Sequence, residues 1–364
     1  MFSLLQFLVK SRFKNNPIKK PPSIRGYTMI ELLVGMVMAF LIITPLMGFV
    51  LNLLDDDRKE GVRATTDQEL QSAMDYIKED LRQAFYVYDR TGVQAINNPN
   101  GIEQDKDKRT PILVFWKRKI EEDSRPSQMG LSCPKTATEQ SKKDCDDAFV
   151  YSLVAYYIST DNPNGIWSDK AVRIERLEIS DGVEYPSGSG QYVPGFEPSD
   201  GFQKFTQGKE TEWKNSGALK AGDRQVLIDY IHSESQQYKD NKPITDAKSV
   251  DEKSDVDCQN ILGSEAQLIT QYLVKPAPPP ATPPPATPPP PPPPEANKVD
   301  KSDPGFYVCV NKEKKIVQVN LRGNALARMG GEDPKYSDSK KQFFPRSSTA
   351  IQLGSSLEKV KEEE

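Results

Sequence analysis

From Leu32 to Leu54 the chain carries no charged side chain, and Thr44 and Asn52 are the only strongly polar residues in the run. As a helix these residues would cover about 35 Å at about 1.5 Å per residue, which matches a hydrocarbon core of about 30 Å. The segment can therefore cross a bilayer once, as a type II signal anchor does, and 23 residues is longer than the apolar core of an uncleaved secretory signal peptide. Hydrophobic content of 36% and a mean hydropathy of −0.63 over all 364 residues leave no second segment of this kind, so a polytopic transporter is excluded. With 48 basic and 52 acidic residues, a formal net charge of −4, nothing suggests a surface built for nucleic-acid phosphates.

The flanks of the apolar run are asymmetric. Residues 1–25 hold Lys10, Arg12, Lys14, Lys19, Lys20 and Arg25 and no acid, whereas Asp55, Asp56 and Asp57 follow the run directly. Positive charge stays on the cytoplasmic side. The N-terminus is expected in the cytoplasm and everything after Leu54 outside, with no small-residue cleavage site after the span.

Glu31 does not suit a plain anchor. An ionised carboxylate between apolar neighbours at the membrane edge is costly unless a positive group meets it. The run Gly26-Tyr27-Thr28-Met29-Ile30-Glu31-Leu32-Leu33-Val34 closely resembles the class III signal of type IV prepilins and type II secretion pseudopilins, a glycine, an aromatic residue and then T-L-I-E-L-L. The resemblance implies that a prepilin peptidase cuts after Gly26, where a side chain would obstruct the enzyme. It implies that Tyr27 becomes the N-methylated N-terminus, with tyrosine in place of the usual phenylalanine. It further implies that the Glu31 carboxylate meets the N-terminal amine of a neighbouring subunit and sets assembly register. Partners implied in turn are other pilins or pseudopilins, an assembly ATPase and an inner-membrane platform protein. Residues 1–26 would be a basic leader, long for the family, and 27–54 the membrane and assembly helix. Pro45 interrupts that helix and costs it a hydrogen bond, so a kink or melted turn is expected near Pro45 and Gly48, the latter standing where the family commonly has its proline.

Beyond Asp57, Leu70, Met74, Ile77, Leu81, Phe85 and Tyr88 recur at helical spacing, with Glu69, Asp75, Lys78, Glu79, Asp80 and Arg82 between them. This predicts one helix from about Met29 to about Tyr88, with residues 55–90 as an amphipathic continuation. Strands are expected at 111–118, 148–158, 171–179, 225–231, 306–310 and 315–321, from their β-branched and aromatic content and, in the third, from alternation. The fold class is α+β: a long N-terminal helix on an antiparallel head spanning 91–275 and 305–345, the arrangement of the pilin fold. Gly, Ser and Pro between Ser180 and Asp223 suggest a long surface insertion. Residues 276–294 contain 14 of the 30 prolines and would span about 59 Å as polyproline II, an excursion from the head that serves as a spacer or, less simply, as a ligand for an SH3-like partner. A charged tail is expected over 346–364.

Four cysteines, Cys133, Cys145, Cys258 and Cys309, permit three connectivities in an extracytoplasmic head. Pairing of Cys133 with Cys145 and of Cys258 with Cys309 is expected. Zinc is disfavoured because no CxxC occurs and His232 is the single histidine. Asp251, Glu252, Asp255 and Asp257 lack EF-hand spacing and read as a solvated loop rather than a calcium site. No cofactor or metal is expected. Nor is there a phosphate-cradling glycine loop, a G-x-S-x-G element or a multi-histidine centre, and the reading is non-enzymatic. The stretch from Asp80 to Asp89, the strand Val114 to Arg118 and the proline tract look like the cyanobacterial hormogonium polysaccharide secretion pseudopilins. That likeness implies a minor subunit of a pilus-like assembly supporting polysaccharide export and gliding motility. The competing class is a surface binding module, an adhesin for polysaccharide or protein, that the N-terminal helix merely displays.

Overall fold

The computed structural model describes residues 26–102, 108–127, 133, 145–162, 165–185, 189–217, 219, 224–232, 258–270, 304–329 and 336–354. The leader up to residue 25, the acidic stretch 251–257, the proline tract and residues 355–364 lie outside the described residues. The chain divides into two compact units, residues 1–58 and 59–364.

In the first unit Thr28 precedes helix α1 (Met29–Arg82). Its large apolar side chains from Met29 to Leu54 are exposed, and none of its most apolar 18-residue window is buried. One helix near the N-terminus is thus long and apolar enough to cross a membrane once. The helix is continuous through Pro45 and Gly48. Thr44 donates its hydroxyl to the Phe40 carbonyl at 2.8 Å, one turn back.

In the second unit α1 buries Thr66, Leu70, Ala73, Met74, Ile77, Asp80 and Leu81, a stripe at steps of three and four. It stops at Arg82, short of Tyr88. The aromatic and β-branched run that follows prefers extended backbone, and Ala84–Val87 forms strand β1. Phe85 and Tyr88 therefore leave the helical stripe. Asp89 then caps a short helix α2 (Arg90–Ile96), accepting from the Gly92 N–H at 2.8 Å.

Strand β1 is the edge of a five-stranded antiparallel sheet in chain order with β2 (Arg109–Pro126), β3 (Cys145–Ser159), β4 (Val172–Ser180) and β5 (Arg224–Ile231). Phe115 and Lys117 on β2, Val154 and Tyr156 on β3, and Arg176 and Glu178 on β4 stand in register on one face, the face that meets α1. Trp116 points the other way and is met edge-on by Phe202, Phe205 and Trp213. The segment after β4 is therefore not a loose surface insertion, because Phe202 and Trp213 are buried in the main core. Strand β4 pairs with β3 one to one, and the irregularities in its pairing with β5 place the extra residues on β5. Both faces of β4 are covered, so Arg173, Glu175 and Arg176 are buried along with its apolar residues.

A second antiparallel sheet orders β6 (Gln267–Ile269), β7 (Phe306–Asn311), β8 (Ile316–Arg322) and β9 (Arg346–Gln352). Strand β9 occupies the start of the segment expected to be a charged tail, since Ser347, Ser348, Thr349 and Ile351 suit a strand and only later residues are charge-rich. Ile269 pairs with Val308, so the chain leaves this sheet before the proline tract and re-enters it beside the point of departure. The two sheets meet where Ile231 bridges Gly323 and the His232 N–H donates to the Arg322 carbonyl at 2.9 Å. A Cβ on Gly323 would stand 2.6 Å from Thr66 Cγ2, so a glycine lets α1 approach this junction.

Candidate functional site

Thr28 ends the extended lead-in to α1. The Glu31 N–H donates to the Thr28 carbonyl at 3.1 Å and lies 3.3 Å from its hydroxyl, and the Leu32 N–H donates to the same carbonyl at 3.1 Å. Thr28 with Glu31 three residues on is the spacing of a capping box, a local role for both that the sequence reading overlooked. The capping explains Thr28 fully and Glu31 in part, because a carboxylate in the first turn also favours the positive end of the helix dipole. Among the described residues no positive group meets the Glu31 carboxylate.

Gly26 is not demanded by the fold. Its backbone is outside the left-handed region, and a Cβ built on it would meet nothing within 4 Å. Tyr27 is 76% exposed. Gly26, Tyr27 and Glu31 thus lie together on an accessible lead-in and first turn. Pro45 and Gly48 sit further along the same helix and join no cluster with them.

A second group of functional side chains lies where α1 crosses the first sheet. Asp80, placed on the polar face of the helix by sequence alone, is buried. Arg176 Nε is 2.7 Å from Asp80 Oδ2 and Lys117 Nζ is 2.8 Å from Oδ1, while Tyr156 donates its hydroxyl to Oδ2 at 2.6 Å. Glu178 completes the set beside Arg176 and 3.2 Å from Lys117 Nζ. Two carboxylates and two cations balance. Burial alone would raise the Asp80 pKa, but hydrogen bonds and charge from Arg176 and Lys117 outweigh it and hold the carboxyl below its ordinary value. The same balance, burial against Arg176 and Lys117, lowers Glu178. Burial first, and then the neighbouring Asp80 charge, push the Tyr156 phenol up. Every member is paired across the helix and three strands, so the group fastens the helix to the sheet. Asp80 was detectable in principle: it follows Ile77 by three residues and precedes Leu81 on the buried stripe.

The cysteines pair as expected, Cys133 with Cys145 and Cys258 with Cys309. Each bridge sits in a small apolar cluster outside the main core, the first with Val150 and Val193, the second with Leu262 and Leu268. His232 is buried against Tyr336 and Phe344 and holds no metal-binding partner set, since no group of three or more His, Cys, Asp or Glu side chains converges among the described residues.

No protein-family profile, characterised protein or solved structure matches the chain.

Proposed function

We propose that this chain is a minor pilin or pseudopilin, a non-enzymatic structural subunit of a type IV pilus-like or type II secretion-like assembly. One observation carries the reading: Gly26, Tyr27 and Glu31 stand in prepilin spacing at the start of a helix that, from Leu32 to Leu54, exposes an uncharged and almost wholly apolar surface. The fold supplies no reason for a glycine at position 26. An outside agent that must reach the peptide bond after it does supply one. Glu31 is explained by capping only in part, and a neighbouring subunit's free N-terminal amine is the missing cation. In this reading the N-terminus is cytoplasmic, the head is extracytoplasmic, and the α+β head packed on the second half of α1 is the pilin arrangement. Prepilin peptidase, sister pilins, an assembly ATPase and a platform protein are its partners. The resemblance of residues 80–89, the strand at 114–118 and the proline tract to polysaccharide secretion pseudopilins supports reading its role as polysaccharide export and gliding motility.

The test is intact mass and N-terminal analysis of the protein recovered both from its native membrane and from sheared surface fibres. A chain beginning at N-methylated Tyr27 in the fibre fraction is the expected outcome. A chain that keeps residues 1–26 and stays out of the fibres would instead mean a head displayed on an ordinary membrane anchor.

A further inference from the structure

Strand β9 is an open edge. The Leu353 N–H donates to Lys315 and the Gly323 N–H to Pro345, at 2.8 and 2.9 Å, so the odd-numbered positions of β9 face β8. In an antiparallel ladder the even-numbered ones then direct both N–H and C=O outward. Ser348, Ala350 and Gln352 are exposed, and among the described residues β9 has no neighbour in its sheet but β8. Native edges are usually short, charged, bulged or covered. Here β1 has four residues and β6 three. The outer edge of β2 beyond Arg118 carries Lys119, Glu121, Glu122 and a left-handed Asp123 with φ of 47°. At β5 the Tyr230 carbonyl is already taken by the Asn324 N–H at 2.7 Å. Among the described residues strand β9 has little of this protection, its one charge being Arg346 at the start. It pairs with β8 over seven residues without a bulge, and from Ser347 to Gln352 it has no charge and no proline.

We propose that β9 is a strand-addition edge and that its occupant is β9 of a second copy of this chain, running antiparallel about Thr349. The register follows from parity. With Thr349 opposite itself, Ser348 faces Ala350, so outward-directed positions meet outward-directed positions and their N–H and C=O groups bond in pairs. Ser347 then faces Ile351, and no like charges are opposed. The strand is complementary to itself, and the pairing joins the second sheets of two heads into one. Seven residues a side bury little surface, so association is weak in dilute solution and is strengthened when the helices hold two copies in one membrane. The inference does not depend on the prepilin reading.

Self-opposed residues that do not hydrogen-bond across the pair lie at about 4.5 Å between Cα atoms, within disulfide range. Among the described residues all native cysteines are bridged, leaving an introduced one as the reactive thiol. The experiment oxidises full-length T349C and S347C in membranes with copper phenanthroline. A covalent dimer from T349C and none from S347C is expected. Adding Ala350→Pro, which removes an outward N–H without touching the β8 ladder, abolishes that dimer while protease resistance is retained. Equal cross-linking of T349C and S347C overturns the proposal, as does a T349C dimer that survives Ala350→Pro. A T349C thiol that forms no dimer overturns it too, and assigns the edge to residues 355–364 or to a strand of another protein.

Discussion

His232 closes strand β5 with its ring among aromatic side chains, and neither ring nitrogen has a hydrogen-bond partner. It is 3% exposed. Burial, with a smaller contribution from the Arg346 charge, pushes its pKa down from 6.5 to about 4. A folded state that refuses a proton the unfolded chain accepts loses stability as pH falls. The contribution of His232 is whole above pH 6.5 and is lost between 6.5 and about 4, in total about 3 kcal/mol at about 1.4 kcal/mol per unit. Asp80 and Glu178 act in a lower window, because their folded pKa values lie below the ordinary carboxylate values and their contribution disappears only as pH falls through those lowered values. Denaturant midpoints measured from pH 7 to pH 4.5 are therefore expected to decline. His232→Phe should flatten that decline, since phenylalanine fills an aromatic site with nothing to protonate. An unchanged slope would mean that the acid sensitivity belongs to other groups.

The elements show which parts of this molecule are legible from sequence and which are not. Long β-branched runs such as Ile112 to Trp116 and Phe149 to Ile158 read as strands because nothing competes with that pattern. Strand β1 escaped because Phe85 and Tyr88 also complete a helical stripe, and a four-residue strand cannot outvote a helix on periodicity. Strand β9 escaped because serine and threonine are also loop residues. Of the candidate site, the Gly26–Glu31 motif was readable because its spacing is local. The Asp80 cluster was not, because its partners arrive from three strands up to 96 residues away. That cluster also decides how α1 is held. Asp80→Asn keeps the shape and removes one charge of four, leaving Lys117 and Arg176 to share Glu178 in a buried site. A loss of about 3 kcal/mol is expected, by analogy with other broken buried pairs. Denaturant unfolding of the full chain in detergent measures it, and a loss near that of an exposed pair, under about 1 kcal/mol, would show that the cluster is not a fastener.

For the whole molecule the two disulfides are unequal because of what they enclose. Cys133–Cys145 closes a short loop, with a sequence separation of 12, and Cys258–Cys309 a long one, with a separation of 51 that contains the entire proline tract. Loop-closure entropy makes the first worth about 3 kcal/mol and the second about 4 kcal/mol against the unfolded chain. The structure adds to this difference. The first bridge sits at the far end of the long β2–β3 hairpin, where Ala148 and Val150 pack with Val183, Val193 and Phe196 in a cluster of their own. Its loss is expected to loosen that end and spare the rest. The second bridge ties α3 (Cys258–Leu262) to β7 at the centre of the second sheet. Strand β6 has only three residues to pair with β7. Replacing Cys258 and Cys309 by serine is therefore expected to lower global stability more than replacing Cys133 and Cys145, and to open α3 and β6 to limited proteolysis. Equal losses from the two double variants, with cleavage confined to the β2–β3 hairpin in both, would show that loop length and placement do not govern how this head is stapled.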